Sequence, residues 1–170
     1  MAEVFILSDH HFLHANILKF TGDDGKRIRP FGSLEEMHET IIERHNAVVK
    51  PIDHIYFGGD VTFQLGGIFQ MIMARMNGHK RLILGNHDKY IKNHEFSKHF
   101  DKILLWRGFK EQGFVLSHFP LKEGHFRDGN HNAHGHTHQR LVPGPYSNVC
   151  CEIRDYIPVH IDEIAKEVKK

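Results

Sequence analysis

The sequence predicts an α/β fold for a single domain that spans residues 1–170, and two observations lead to this class. In the first half, the short apolar runs Val4–Leu7, Ile55–Phe57 and Arg81–Leu84 alternate with segments of helical periodicity, as in strand–helix–strand units. In the second half, short apolar runs are separated by glycines, which is typical of antiparallel hairpins. A chain of 170 residues has the length of one domain with a sizeable core.

The three runs of the first half are continuous rather than alternating, which predicts strands buried on both faces. Between the first two runs, Ser33 and Glu36 form a capping-box pattern, and apolar residues then recur at helical spacing as far as Val49. A second helix is predicted over Ile68–Met76, and a short one over Ala15–Phe20.

The second half predicts a run of short strands and one closing helix. Tight turns are expected at Gly108 and Gly113, and the polar segment Gly124–Asn132 is expected to be a loop. The closing helix is predicted over Ile161–Val168, with acidic residues early and lysines last, as the helix dipole prefers. The strands are predicted over Lys102–Trp106, Phe109–Gln112, Phe114–Leu116, His134–Thr137 and Asn148–Ile153.

Composition excludes several classes of protein. With 25% charged residues and a net charge of +1, the chain has no surface suited to coating a polyanion, so no strong nucleic-acid partner is indicated. Met1–Leu7 lacks the features of a signal peptide and no run is long enough to span a bilayer, so we expect a cytoplasmic protein without a membrane partner. The adjacent Cys150 and Cys151 are expected to be reduced packing thiols. Nothing predicts the oligomeric state.

Histidine is unusually abundant, at 17 residues, and several histidines follow predicted strands together with Asp or Asn. Four apolar runs share one pattern, in which a small residue is followed by a side chain that can bind a metal. Because sites in α/β sheets form outside the carboxyl ends of strands, these side chains should meet at one edge. The candidate metal ligands are Asp9, His11, Asp60, Asn86, His118, His136 and His138.

Seven candidate ligands are too many for one tetrahedral ion, and they suit two ions if a carboxylate bridges them. A set of imidazole, carboxylate and amide groups without thiolate favours Mn, with Fe, Zn or Ni as alternatives. Two divalent ions about 3.5–4 Å apart form a clamp for phosphoryl chemistry, in which a bridging hydroxide attacks phosphorus. His87 is then the candidate acid that protonates the leaving group, and Asp88 is expected to orient His87 and raise its pKa.

These segments resemble the motifs of the calcineurin-like metallophosphoesterase family: D-x-H, G-D, G-N-H-[DE], H and G-H-x-H, in order across residues 9–138. The start of the chain looks like the small single-domain enzymes of bacteria and their phages. The resemblance implies a four-layer sandwich of two packed mixed β-sheets flanked by helices. It also implies that Asp60 bridges two ions, one held with Asp9, His11 and His138, the other with Asn86, His118 and His136.

The function that we expect is phosphodiester hydrolysis of a small phosphate ester or nucleotide. The alternatives are a phosphomonoesterase with the same site and a noncatalytic metal-binding scaffold of the same fold; a metal-storage role gives no reason for His87-Asp88. His14, Arg29 and Arg127 are candidates for substrate contact, although for each arginine a solvated surface position is the favoured interpretation. His10, between two ligands, should point away from the site, and His134 is a candidate partner for a ligand imidazole.

Overall fold

The structure is a computed structural model that describes residues 1–126 and 130–168. Four α-helices, one 3₁₀-helix and nine strands make up these residues. The helices are α1 (Leu34–Val48), α2 (Gly67–Arg75), α3 (His94–Ser97), α4 (Ile161–Val168) and the 3₁₀-helix Ala15–Leu18. The strands are β1 (Val4–Leu7), β2 (His54–Phe57), β3 (His79–Ile83), β4 (Lys102–Leu104), β5 (Trp106–Phe109), β6 (Phe114–Ser117), β7 (His131–His134), β8 (Tyr146–Asn148) and β9 (Val159–His160).

The strands form two mixed sheets. The first has five strands in the order β4-β3-β2-β1-β9, of which β1 to β4 are parallel and β9 is antiparallel to β1. The second has the order β5-β6-β7-β8, with β5 antiparallel to β6 and the other pairs parallel. The sheets meet beyond β1, where the Ser8 amide donates to the Val149 carbonyl at 2.9 Å. Two mixed sheets flanked by helices confirm the predicted fold class.

The strands of the first sheet are buried on both faces because successive side chains enter different clusters. Ile6 of β1 and Tyr56 of β2 pack against the second sheet, with Phe114 and Leu116 of β6. Leu7, the next residue of β1, packs with the residues of α1 and α2 instead. This arrangement explains why the runs contain no alternation of apolar and polar residues.

Helix α1 begins at its predicted cap. Ser33 Oγ accepts from the Glu36 amide at 3.1 Å, a contact that contributes about 1 kcal/mol to such helices. The reciprocal half of the capping box differs from the prediction, because the Glu36 carboxylate accepts from the Gly32 amide rather than from that of Ser33. Helix α4 has the predicted bounds.

Several predictions for the second half are wrong in detail. Lys102–Leu104 does not enter a hairpin but extends the first sheet beside β3. Gly108 is not a turn residue, because it lies inside β5 and pairs with Val115, whereas the turn ending at Gly113 does connect β5 to β6. The strands predicted at Phe109–Gln112, His134–Thr137 and Asn148–Ile153 keep only their first residue, which ends β5, β7 and β8 respectively. Cys150 then makes an isolated bridge to Ser8, and residues 151–156 form turns. The loop predicted over Gly124–Asn132 ends early, because β7 already begins at His131, and residues 127–129 of it lie outside the described residues.

Within residues 1–126 and 130–168, no helix has the length and apolar character that crossing a lipid bilayer requires.

Candidate metal centre

Five polar side chains follow five strand ends and converge on one rim. Asp9, Asp60 and Asn86 follow β1, β2 and β3 of the first sheet, and His118 and His136 follow β6 and β7 of the second. Because these five strands are parallel within their sheets, their carboxyl ends lie on the same side. The site is thus assembled where the two sheets meet.

The first group of candidate ligands consists of Asp9, His11 and His138, whose ligand atoms all lie within 4.8 Å of one another. The Nε2 atoms of His11 and His138 lie 3.6 and 3.9 Å from Asp9 Oδ1. Asp9 Oδ1 and His11 Nε2 are buried and have no hydrogen-bond partner. Buried polar atoms without partners are costly, and a cation between these atoms would satisfy both.

The second group consists of Asp60, His118 and His136, again with ligand atoms within 4.8 Å of one another. His118 Nε2 lies 3.5 Å from Asp60 Oδ2 and 2.9 Å from Asn86 Oδ1. The amide oxygen of Asn86 therefore lies next to the ligand atom of His118, and Asn86 is the fourth candidate ligand of this group.

Asp60 lies between the two groups. Its Oδ2 atom is 3.8 Å from His11 Nε2 of the first group and 3.5 Å from His118 Nε2 of the second. One carboxylate oxygen thus faces both groups, as the arrangement of a bridging ligand requires. Its other oxygen is occupied, because Oδ1 accepts from the His87 amide at 2.8 Å.

Three of the imidazoles are oriented through Nδ1, which leaves Nε2 directed at the rim. His118 Nδ1 lies 2.9 Å from the Gly58 carbonyl, so this nitrogen carries the proton and donates it. His138 Nδ1 lies 2.9 Å from Glu152 Oε1, and His11 Nδ1 lies 3.1 Å from His14 Nδ1. Metal-binding histidines are commonly held in this way by a partner on the second ring nitrogen.

Asp9 is held so that one oxygen is satisfied and the other is free. Its Oδ2 accepts from Ser8 Oγ at 2.6 Å and from the His136 amide at 2.9 Å, and Cys150 Sγ lies 3.3 Å away. A Cβ at Gly135 would overlap both Ser8 and Asp9, so glycine is what allows the amide of the next residue to approach.

Backbone strain is concentrated on the candidate ligands. Among residues 1–126 and 130–168, eight non-glycine residues have positive φ and five of them are candidate ligands; such conformations cost about 1–3 kcal/mol each. The surrounding hydrogen bonds must hold these residues in place. The five ligands are Asp9 (59°), His11 (51°), Asp60 (54°), His136 (68°) and His138 (51°).

The electrostatics of the rim favour positive charge. Burial opposes ionisation of Asp9, but the neighbouring imidazoles outweigh this effect, so its pKa lies well below the ordinary value. Burial also disfavours a charged His118, yet Asp60 and Asp9 outweigh it and raise the pKa of His118 to about 8. Two buried carboxylates therefore create a negative potential that a cation would neutralise.

His87 lies exposed at the rim. Its ring centroid is 4.8 Å from that of Phe63 and 6.1 Å from that of His11. The prediction that Asp88 orients His87 is wrong. The Asp88 carboxylate is buried and accepts instead from the amides of Asp60, Val61 and Gly85, at 2.8 to 2.9 Å, so it braces two ligand-bearing loops.

The predicted substrate contacts have different outcomes. His14 lies at the rim, stacked on Phe63 with centroids 3.7 Å apart. Arg29 is neither solvated nor directed at the rim: it is fully buried, and it donates to Glu152 at 2.7 Å and to the carbonyls of Asp9 and His10. Arg127 lies outside the described residues.

The remaining sequence predictions concern residues that lie beside the candidate ligands. His10 points away, as predicted, into the core, where its ring stacks on Phe57 at 4.4 Å. His134 lies near the site, but the contact that its Nδ1 makes is with the Gly135 carbonyl rather than with a ligand imidazole. Cys150 and Cys151 are free, buried thiols, as predicted.

Sequence reasoning missed Glu152. Its side chain is 1% exposed, and its Oε1 links Arg29 to His138. The signal was present, since Val149-Cys150-Cys151-Glu152 repeats the pattern of an apolar run followed by a polar residue. Burial disfavours its ionisation, but Arg29 and His138 outweigh this and lower the pKa of Glu152.

No protein-family profile matches the chain. The crystal structure of AQ665 from Aquifex aeolicus, a protein of unknown function, superimposes with a TM-score of 0.77 at 26% identity, covering 98% of this chain and 99% of that one. The chain is also 32% identical over 180 aligned positions to the uncharacterized protein MJ1445 of Methanocaldococcus jannaschii. That alignment covers all of this chain and 93% of the relative. The chain therefore belongs to the protein family that includes MJ1445.

Proposed function

We propose that this protein is a two-metal phosphoesterase of the calcineurin-like metallophosphoesterase type, and that it favours small phosphodiesters. The observation that carries this proposal is the position of Asp60, whose Oδ2 lies 3.8 Å from His11 Nε2 and 3.5 Å from His118 Nε2. A carboxylate shared by two ligand groups has a clear use if two cations lie side by side.

The chemistry of the donors supports divalent cations of intermediate softness. Imidazole, carboxylate and amide groups favour Mn, with Fe, Zn or Ni as alternatives. The Cys150 thiol lies 3.3 Å from Asp9 Oδ2, the oxygen that also accepts from Ser8 and the His136 amide, and burial raises its pKa well above the ordinary value. When bound, two such cations would neutralise phosphate oxygens and acidify an attacking water.

The remaining chemistry belongs to side chains at the rim. His87 is exposed beside the first ligand group, where its imidazole could donate a proton to the departing alkoxide. Phe63 packs against the rings of His87 and His14 and restricts their orientation. Such a donor would serve the alkoxide leaving group of a diester and of a monoester alike, so the comparison of the two esters decides between them.

Hydrolysis of a dinucleoside phosphodiester and of the matching nucleotide monoester, which both have alkoxide leaving groups, by metal-stripped protein with Mn²⁺, Fe²⁺, Zn²⁺ or Ni²⁺ restored tests this proposal, with the products measured by chromatography. We expect metal-dependent diester turnover that falls about 10²- to 10⁴-fold in His87→Ala at unchanged metal content. His94→Ala, at an exposed histidine of α3, serves as the matched control.

Each other outcome has a defined meaning. Cleavage of the monoester alone would keep the site and change the substrate class to phosphomonoesters. Binding of two metal ions with cleavage of neither ester would overturn the proposal in favour of a noncatalytic scaffold.

A further inference from the structure

An apolar groove of about 490 Å³ lies directly beside the second ligand group. Its volume falls within the range of about 300–1,000 Å³ that small-molecule sites occupy. Three large apolar side chains at the groove remain strongly exposed: Leu105 (72%), Trp106 (51%) and Phe119 (46%). Apolar surface concentrated in this way commonly marks a binding site.

The groove is continuous with the candidate metal centre. His118 lines it and also belongs to the second ligand group. The next residue, Phe119, places its ring 4.9 Å from the ring of His118 and 4.5 Å from that of His136. A phosphate at the second ligand group would therefore carry its substituent into the groove.

The lining of the groove defines the chemistry of its occupant. Among the described residues, no Asp, Glu, Lys or Arg lines it, and its ionisable side chains are two histidines, of which His118 faces the second ligand group. A second groove of similar size, beside His138, is lined instead by Asp23, Asp24 and Arg140. The two sides of the rim are thus chemically different, and an ester with one apolar substituent would bind in one orientation.

We propose that the apolar groove binds a planar, uncharged aromatic group of the phosphate ester, such as an aryl ring or a nucleobase. The proposal rests on the proposed function, since the phosphate would lie at the second ligand group. The flat faces of Trp106 and Phe119 suit aromatic packing, and Leu84 and Leu121 complete an apolar wall. Recognition of an aromatic substituent gives the open site a specificity that two metal ions alone do not supply.

Trp106 makes the groove directly observable, because it is the one tryptophan of the chain. The experiment measures the change in its fluorescence as phenyl phosphate, thymidine 5′-monophosphate or methyl phosphate is added to Zn²⁺-loaded protein. We expect the aromatic esters to bind roughly tenfold or more tightly than methyl phosphate, as burial of a ring in an apolar groove implies. Tighter binding of the nucleotide would identify a nucleobase as the occupant, and tighter binding of phenyl phosphate a simple aryl group.

Two variants locate the effect. Phe119→Ala and Leu105→Ser should remove the preference for the aromatic esters, whereas Ile52→Ala should preserve it. Ile52 is a matched control because it is 61% exposed and lies before β2, at the opposite end of the strands from the rim.

The result also separates this inference from the proposed function. Selective aromatic binding without hydrolysis of any ester would support the groove and count against the enzyme. Equal affinity for methyl and phenyl phosphate would overturn the inference even if turnover were found. A fluorescence change that follows protein concentration, with no effect of ligand, would overturn it in favour of a contact between two copies of the chain.

Discussion

The Glu152 carboxylate lies 2.9 Å from Nδ1 of His138, and its other close partner is the buried guanidinium of Arg29, at 2.7 Å. Arg29 in turn donates to the backbone carbonyls of Asp9 and His10. A chain of charge-assisted contacts therefore joins two candidate ligands of the first group from behind. Glu152 sets the orientation of His138, and Arg29 sets the path of the backbone at Asp9.

Glu152→Gln should weaken metal binding at the first ligand group. The amide keeps the shape of the side chain but loses the charge that strengthens His138 as a ligand, and such changes cost about 10- to 100-fold in metal affinity. Competition with a chromogenic chelator measures the affinity. Glu39→Gln is the control, because Glu39 pairs with Arg75 on the surface at 50% exposure. An unchanged affinity in a folded Glu152→Gln protein would contradict the role.

Arg29→Met should destabilise the fold rather than impair substrate binding. Removing the guanidinium leaves the Glu152 charge buried and partly unpaired, and breaking a buried pair costs about 3–5 kcal/mol. Urea unfolding at pH 7 measures the loss. If Arg29 instead held a phosphate, the variant would raise KM while leaving the free energy of unfolding near that of the parent protein.

Asp88→Asn should also lower stability, because the carboxylate accepts from three backbone amides. An asparagine oxygen replaces only part of these contacts, and each hydrogen bond to a charged group is worth about 1.5–3 kcal/mol. The pH dependence of turnover should keep its shape, since no contact to the His87 ring is lost. A shift of the acidic or basic limb of the pH–rate profile in Asp88→Asn would instead support the predicted role of Asp88 in orienting His87.

Buried histidine should make the fold sensitive to acid. The His45 imidazole is fully buried, and burial lowers its pKa from the ordinary 6.5 to about 4. The unfolded chain therefore takes up a proton more readily than the folded protein, so the contribution is intact above about pH 6.5 and is lost as the pH falls towards 4. By pH 4 the loss amounts to about 3 kcal/mol.

The comparison of His45→Gln with His94→Gln isolates that contribution. His45 Nε2 lies 2.9 Å from the Asn77 carbonyl, and glutamine retains a donor without the titration. Unfolding free energies measured between pH 7 and pH 4 should fall less steeply in His45→Gln than in the control variant. If the unfolding free energies of the two variants fell equally between pH 7 and pH 4, His45 would not be the source of the acid sensitivity.

The sequence was informative where the chemistry is local to a strand end. Asp9, Asp60, Asn86 and His118 each follow an apolar run, and parallel strands bring such ends together whatever the rest of the fold does. The prediction for Asp88 failed because neighbours in the chain can point to different sides of a turn. Adjacency to His87 therefore carried no information about contact.

Long-range pairing was beyond the reach of sequence patterns. Arg29 and Glu152 are 123 residues apart, and nothing local distinguishes a buried arginine from a solvated one. The same holds for Lys102–Leu104, since β propensity predicts a strand but does not say which sheet will accept it. The sheet assignment depends on the edge that β3 leaves open.

Each ligand group takes side chains from both sheets: Asp9, His11 and Asp60 follow strands of the first sheet, and His118, His136 and His138 follow strands of the second. An ion bound to either group would cross-link the two sheets. At a concentration one hundred times its Kd, one ion adds about 2.7 kcal/mol to the folded state. Metal supply would then govern how long the protein survives heat and proteolysis. In a chelating buffer, the contact between the two sheets would weaken before any helix unfolded.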